Sequence, residues 1–314
     1  MAWAAVRPSR VSFSWGKYTP EKYLVKAIAS SSFYGYIMGM RILSREKRIL
    51  IVNLLVEGNS INGTTRLAGV SKHTVLRLLL DIARVCCQHE DANVRGLRCR
   101  SIECDELWGF SGCKDRNVDR ARIDDEHLGS VWTWYGVCAD SKMIVGWTMG
   151  DRGREQAASL MDDIASRCSD IGQINTDALN LYVGAINAAF HDRPDVGHGQ
   201  IHKEYGQVST TDERRYSPAQ CIGCTRLAVR GNPDPFAVST SYIERSNLSV
   251  RTFQKRWTRL TLCHSKKFQY MQAAFALHAC WFNWCRKHAA HGKTPAQAAG
   301  LTDRKWTIGD LVDL

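Results

Sequence analysis

The sequence predicts an α/β fold: a mixed-sheet core preceded by a small all-helical domain. Three Ser-headed helical segments fall between residues 44 and 90. From residue 100 to about 255, strand-like runs rich in Val, Ile and aromatic residues alternate with helical spacing, and charge divides into three blocks along the chain. At 314 residues the chain can bury a substantial core and carry one or two small appendages. It has no run of about 18 apolar residues and no apolar leader at its N-terminus, so neither a membrane span nor secretion is expected, and a cytoplasmic location is. Twelve cysteines at irregular spacing suit a reduced compartment and a packing role better than a disulfide framework.

Residues 1–40 lack sustained periodicity and read as a weakly ordered extension, with a short helix around residues 21–29; Met38 or Met40 offers an alternative start. Order begins at Ser44, which heads a helix with an apolar stripe at Ile49, Val52, Leu55 and Val56, ended by Gly58. Ser60 opens a short second helix to about Ala68, Gly69 and Val70 make a turn, and Ser71 caps a third helix beginning "KHTVLRLLL". This is the rhythm of a helix-turn-helix domain over residues 41–95, with Lys72, His73, Thr74 and Arg77 at the leading end of the helix that would enter a major groove. Some helical hairpins share that rhythm and bind nothing.

The centre, residues 96–260, alternates strand and helix. "RSIECDELWGF" is a strand with Glu103, Asp105 and Leu107 on one face and Cys104, Glu106 and Trp108 on the other. "SVWTWYGVCADSKMIVGWTMG" is two strands joined by the turn "ADSK". Residues 154–167 have helical spacing, "IGQINTD" is a strand ending at Asp177, residues 179–190 are helical, and "GQIHKEYG" is a last strand. A loop-rich stretch over 207–238 leads to the helix in "TSYIERSNLSVRTFQK". The order β-β-β-α-β-α-β-α is that of a ribonuclease H-like domain with a mixed sheet. Residues 261–314 read as a basic helical segment packed on that core, with Trp257, Trp281 and Trp284 inside it.

Residues 1–100 carry 16 Lys+Arg against 6 Asp+Glu, a net of +10; residues 101–244 carry 14 against 22, a net of −8; residues 245–314 carry 12 against 3, a net of +9. From Arg245 to Thr302 there is no acid at all. Basic flanks around an acidic centre suggest a polyanion held at both ends while central carboxylates collect metal ions, although a charge run is more often a solvated surface. Two-metal phosphoryl transfer needs carboxylates from separate elements converging on ions about 4 Å apart. Asp105, Asp177 and Glu244 sit on separate elements and could converge so. Arg251, two turns after Glu244, returns to the same helix face and could hold a phosphate. On spacing alone, an ordinary surface pair is the better explanation of Glu244 and Arg251.

These residues carry a resemblance. "LIVNLLVEGNSINGTTRLAGVSKHTVLRLL", "CDELWGF", "VWTWYGVCADSKMIVGWTMGDR", "RRYSPAQCIG", "GNPDP", "VSTSYIERSNLSVR" and "TPAQAAGLTD" together resemble the IS-one family of bacterial insertion-sequence transposases, in lineages that encode helix-turn-helix and core in one reading frame. The resemblance runs from about Met40 to the C-terminus. It implies an acidic-triad (DDE) transposase in which Asp105, Asp177 and Glu244 bind Mg²⁺, or Mn²⁺ in its place. Arg251 matches the basic residue after the glutamate, and Trp108 the aromatic after the first aspartate. The implied reaction is cleavage at an element's end and joining of the freed 3′-hydroxyl to target DNA, without a covalent enzyme intermediate. The implied partners are double-stranded DNA, as terminal inverted repeats and target, and further copies of the chain on paired ends. Arg245, Lys255, Arg256, Arg259, Lys266 and Lys267 are expected along the DNA path.

The chain departs from that pattern after Asp177, where Ala178 and Leu179 replace a Gly and a His found in many relatives. It also departs in "NWCRKHAAHGKTP", which keeps Asn283, Arg286, His288, Thr294 and Pro295 of a motif with an altered centre. Zinc is not expected: His198 and His202 with Cys221 and Cys224 supply four ligands, but the His pair falls on a strand and the spacing matches no zinc module. Cys86, Cys87, His89 and Cys99 are weaker still. Two other functions remain open: a DNA-binding regulator with a non-catalytic core, and a ribonuclease H-like nuclease that cuts without joining.

Overall fold

A computed structural model describes residues 43–121, 125, 127–206, 220–258 and 261–314. Expectations for residues 1–40, and for Arg259, lie outside the described residues. Residues Leu43–Leu314 form one compact unit.

Three serines start the first three helices. Helix α1 (Arg45–Val56), α2 (Ile61–Ala68) and α3 (Lys72–Asn93) begin where Ser44, Ser60 and Ser71 accept the amides of Lys47, Gly63 and Thr74 at 3.3, 3.0 and 3.1 Å. Each such cap is worth about 1 kcal/mol. Gly69 ends α2 in the left-handed region at φ +62°, where a β-carbon would be strained. Helix α3 extends well past this trio, and its second half buries Ile82, Ala83, Cys86 and Glu90. No helix among the described residues is long and apolar enough to cross a membrane.

The sheet has six strands in the order β3-β2-β1-β4-β5-β6. They are β1 (Leu97–Ser111), β2 (Gly129–Cys138), β3 (Ile144–Gly150), β4 (Cys168–Asp177), β5 (Gly197–Tyr205) and β6 (Cys221–Arg230). β1, β2 and β3 are antiparallel neighbours, β1, β4 and β5 are parallel, and β6 returns antiparallel on β5. The protein is thus α/β with a mixed sheet flanked by helices, compatible with the expected ribonuclease H-like order. Strand β6 corrects the expectation of a loop over 207–238. It lies on the sheet's edge with most side chains exposed, so its sequence has no buried alternate face to betray it.

Helices α4 (Arg154–Arg167) and α5 (Leu181–Ala189) cover one face of the sheet. Gly136 lets them approach, since a β-carbon there would meet the Ile164 and Cys104 side chains. Helix α6 (Ser241–Phe253) and α7 (Phe268–Cys280) cover the other face, where Tyr135 meets Phe275 edge-on with ring centroids 5.5 Å apart. α7 is buried along its whole length except Gln269 and Tyr270, and it packs along α3, so the helical trio and the sheet share one core. Trp257, Trp281 and Trp284 are buried in it, as expected. The short helices α8 (Pro295–Ala298) and α9 (Ile308–Val312) follow, α9 returning to pack on α1.

Asn283, in a π-helical turn after α7, ties these parts together. Its side chain accepts from the Ile144 amide and donates to the Ile144 carbonyl, both at 2.9 Å, and donates to Glu90 of α3 at 3.2 Å. Glu90 also accepts from the Trp284 indole at 2.7 Å, yet burial outweighs these bonds and pushes its carboxyl up to about 7. Replacing Asn283 by Leu orphans both backbone groups of Ile144 and should cost about 3 kcal/mol, read as a lower urea midpoint with an unchanged slope.

Candidate metal centre and basic clefts

The parallel pairing of β1 with β4 sets the site. Glu103 lies opposite Asn175, and two residues further along each strand stand Asp105 and Asp177. The β1–β4 ladder ends at Glu103 and Asn175, so Asp105 and Asp177 stand just past its end while β1 continues on β2. A carboxylate oxygen from each of Asp105, Glu106 and Asp177 lies within 4.8 Å of the others, and the cluster could hold a metal ion. Glu106, assigned to the opposite face of β1, therefore joins Asp105 because the cluster straddles the ladder's end.

Each acid is oriented by a fixed partner. Asp105 accepts from the Glu106 amide at 2.8 Å and from the Asn247 side chain at 2.7 Å; Asn247 in turn accepts from the buried Tyr135 hydroxyl at 2.8 Å. Asp177 accepts from the Leu179 amide at 2.9 Å, so the Ala178–Leu179 departure leaves a backbone contact at that position. Glu106 is paired with Arg152 at 3.0 Å. Burial, then repulsion by Asp177 and Glu244, raises Asp105 to about 6; burial, then Asp177 and Asp105, raises Glu106 to about 7. Such a set of crowded oxygens disfavours its own charge until a cation arrives. Oxygen-only donors suit a hard divalent ion.

Glu244 lies outside the close trio. Its carboxylate forms an ion pair with Lys203 of β5 and accepts from Thr240 at 2.8 Å. Burial works against the Lys203 charge, but Glu244 outweighs it, with Tyr205 and Asp105 adding, so its pKa is raised. Glu244, Asn247 and Arg251 nevertheless share the flank of α6 turned toward β1, three and seven residues apart. Arg251 is half-buried and within electrostatic reach of Tyr135, whose hydroxyl burial pushes up despite the opposing Arg251 charge. What fixes α6 is Glu103, almost fully buried on β1, whose carboxylate accepts the Tyr242 and Ile243 amides at 2.7 and 3.0 Å. Burial raises Glu103 all the same. Sequence reasoning missed Glu103, Glu106, Asn247 and Lys203 as parts of this site; only Asn247 carried a signal, its spacing from Glu244.

The basic residues expected along a DNA path divide between two clefts. Lys72 at the start of α3 and Lys255, Arg256 and Lys266 beyond α6 line one of about 330 Å³. Arg256 is half-buried there, and desolvation pulls its guanidinium down to about 10. His73 and Arg77 are exposed on α3, Thr74 is half-buried against Ser71, and Lys267 is exposed at the start of α7. Arg245 lines the second cleft. Trp108 is partly exposed and donates to Ser130 at 3.0 Å. His198 and His202 lie on β5 and Cys221 and Cys224 on β6, where a bulge sets Cys221 opposite Tyr205 and Cys224 opposite Lys203, on the face of β5 that alternates with His202, so the four zinc candidates do not come together among the described residues. His198 is buried against Thr176 at 3.0 Å, and His89 packs on Trp284 and Trp306.

Because the folded-state pKa values of Asp105 and Glu106 exceed the ordinary carboxylate range, the folded form binds more protons between that range and about 7. Stability of the metal-free protein should therefore fall as pH rises through this window, and added Mg²⁺ should raise Tm more at pH 7.5 than at pH 5.5. Asn247→Ala frees Asp105 and should weaken divalent-ion affinity by about 10-fold in calorimetric titration. No protein-family model matches the chain, and no curated protein is significantly similar to it.

Proposed function

We propose that the chain is a DNA transposase that cleaves the ends of an insertion sequence and joins the freed 3′-hydroxyl to target DNA. The observation that carries this is the meeting of Asp105 and Asp177, from the two central parallel strands, just past the end of their ladder and beside the helix that bears Glu244 and Arg251. The sheet order is compatible with a ribonuclease H-like core, and the Ser-capped trio α1–α3, with Lys72, His73 and Arg77 exposed at the head of α3, fits a helix-turn-helix. The motif resemblance to the IS-one family points the same way.

Asp105 and Asp177, joined by Glu244, would hold Mg²⁺, with Glu106 beside them. An ion held there would supply Lewis-acid polarisation of a phosphodiester and activation of a water or 3′-hydroxyl nucleophile. Asn247 holds Asp105 in place through Tyr135, and Arg152 holds Glu106. Lys203 forms an ion pair with Glu244. Arg251 supplies a guanidinium on the same helix flank for the transferring phosphate. Two DNA ends must be brought together, which calls for at least two copies of the chain, acting in the cytoplasm on double-stranded DNA.

The test is strand transfer in Mg²⁺ with a labelled duplex carrying the element's own end. Native protein should yield joined products, and Glu244→Gln should reduce them at least ~10²-fold while duplex binding persists. Cutting without joining would leave a nuclease, and binding with neither would leave a regulator.

A further inference from the structure

The second cleft, of about 220 Å³, lies between β2, the β2–β3 turn, α6 and the segment after the π-helical turn. Six side chains define it: Lys142, Tyr242, Arg245, Arg286, Lys287 and His288. Lys142 is nine-tenths buried, donates to the Ala139 carbonyl and stands 3.2 Å above the centre of the Tyr242 ring. It is also the one non-glycine among the described residues with a positive φ, +63°. A left-handed lysine costs of order 1 kcal/mol and persists only where the surroundings enforce it. Arg286 is held over Phe253, its guanidinium carbon 4.3 Å from the ring centre.

None of Lys142, Arg245, Arg286, Lys287 or His288 forms an ion pair among the described residues. The acids within electrostatic reach are Glu57, facing Arg286, and Glu103, facing Lys142, and Glu103 is committed to the α6 amides. Burial, together with His291, Lys142, Arg286 and Arg245, holds His288 below the ordinary imidazole range. Four permanent cations around one concavity repel one another unless an anion joins them.

Tyr242, Arg245, Ser246 and Ser249 of α6 face this cleft, while Glu244, Asn247 and Arg251 lie on the opposite flank. At 100° per residue the two sets are half a turn apart, and the ridge between them, Ser241, Leu248 and Thr252, is exposed. A strand with one phosphate at the carboxylates can cross that ridge and set another in the cleft.

We propose that this cleft is a phosphate-binding site that grips the backbone of a DNA strand running over α6 from the carboxylate cluster. It rests on DNA being the ligand and not on strand-transfer chemistry. Binding of a short labelled duplex, followed by anisotropy in EDTA over a salt series, tests it. The Arg245→Gln/Lys287→Gln double variant should bind about 10-fold more weakly near 0.1 M salt, with the slope of log Kd against log salt reduced by about 1 to 2. The Arg98→Gln/Lys305→Gln pair removes the same charge from other exposed positions and should keep the native slope. Equal weakening in the two variants, or native affinity in the first, overturns the site while leaving DNA binding intact. A native protein that binds no duplex overturns the DNA reading with it. Inorganic pyrophosphate that occupies the cleft in calorimetry, with duplex affinity indifferent to Arg245 and Lys287, would reassign it to a small phosphate.

Discussion

Glu103 is the contact on which the rest of this site depends. Helix α6 has no side-chain cap of its own, because Thr240 turns its hydroxyl toward Glu244. Its first free amides are met instead by a carboxylate from the middle of the sheet. A buried charge is costly, but here it sits at the positive end of a helix and receives two backbone donors, the arrangement that best offsets desolvation. The bond fixes both the position of α6 along β1 and its rotation. From that one register follow the reach of Asn247 to Asp105, the flank on which Glu244 and Arg251 lie, and the cleft on the other side.

Much of this was legible before any coordinates. Ser44, Ser60 and Ser71 were readable as caps because a hydroxyl before an apolar-periodic run has one common use, and the turn at Gly69 needed a left-handed residue. Strand and helix alternation gave the order of the first five strands, since Val, Ile and Trp alternate on half-buried faces. What stayed hidden has physical causes. Strand β6 is held by backbone bonds at an exposed edge and shows no burial pattern. Glu106 reads as the wrong face of a strand until the neighbouring ladder stops. Lys203 is 41 residues from Glu244, and nothing local marks a pair made across a sheet.

The charge blocks also acquire a meaning that counting did not supply. The acid-free stretch from Arg245 to Thr302 is not spread evenly over a surface. It contributes Lys255, Arg256 and Lys266 to one concavity, lined also by α7, and Arg245, Arg286 and Lys287 to another, lined by α6. The acidic block meanwhile gathers its crowded carboxylates where β4 ends beside β1, with Glu106 and Glu244 already paired to Arg152 and Lys203. The cations of the two clefts form no ion pair among the described residues, which leaves them available for something from outside.

The sharing of one core by α3 and α7 has a consequence for scale. Helix α3 and the sheet belong to one compact unit, because α3 packs along α7 in the core they share. If α3 reads a DNA site and the carboxylates cut, as proposed, the protein would act as a caliper. The number of base pairs between the recognised site and the broken bond would be set by that unit, and a mismatch in spacing would have to be absorbed by bending the duplex.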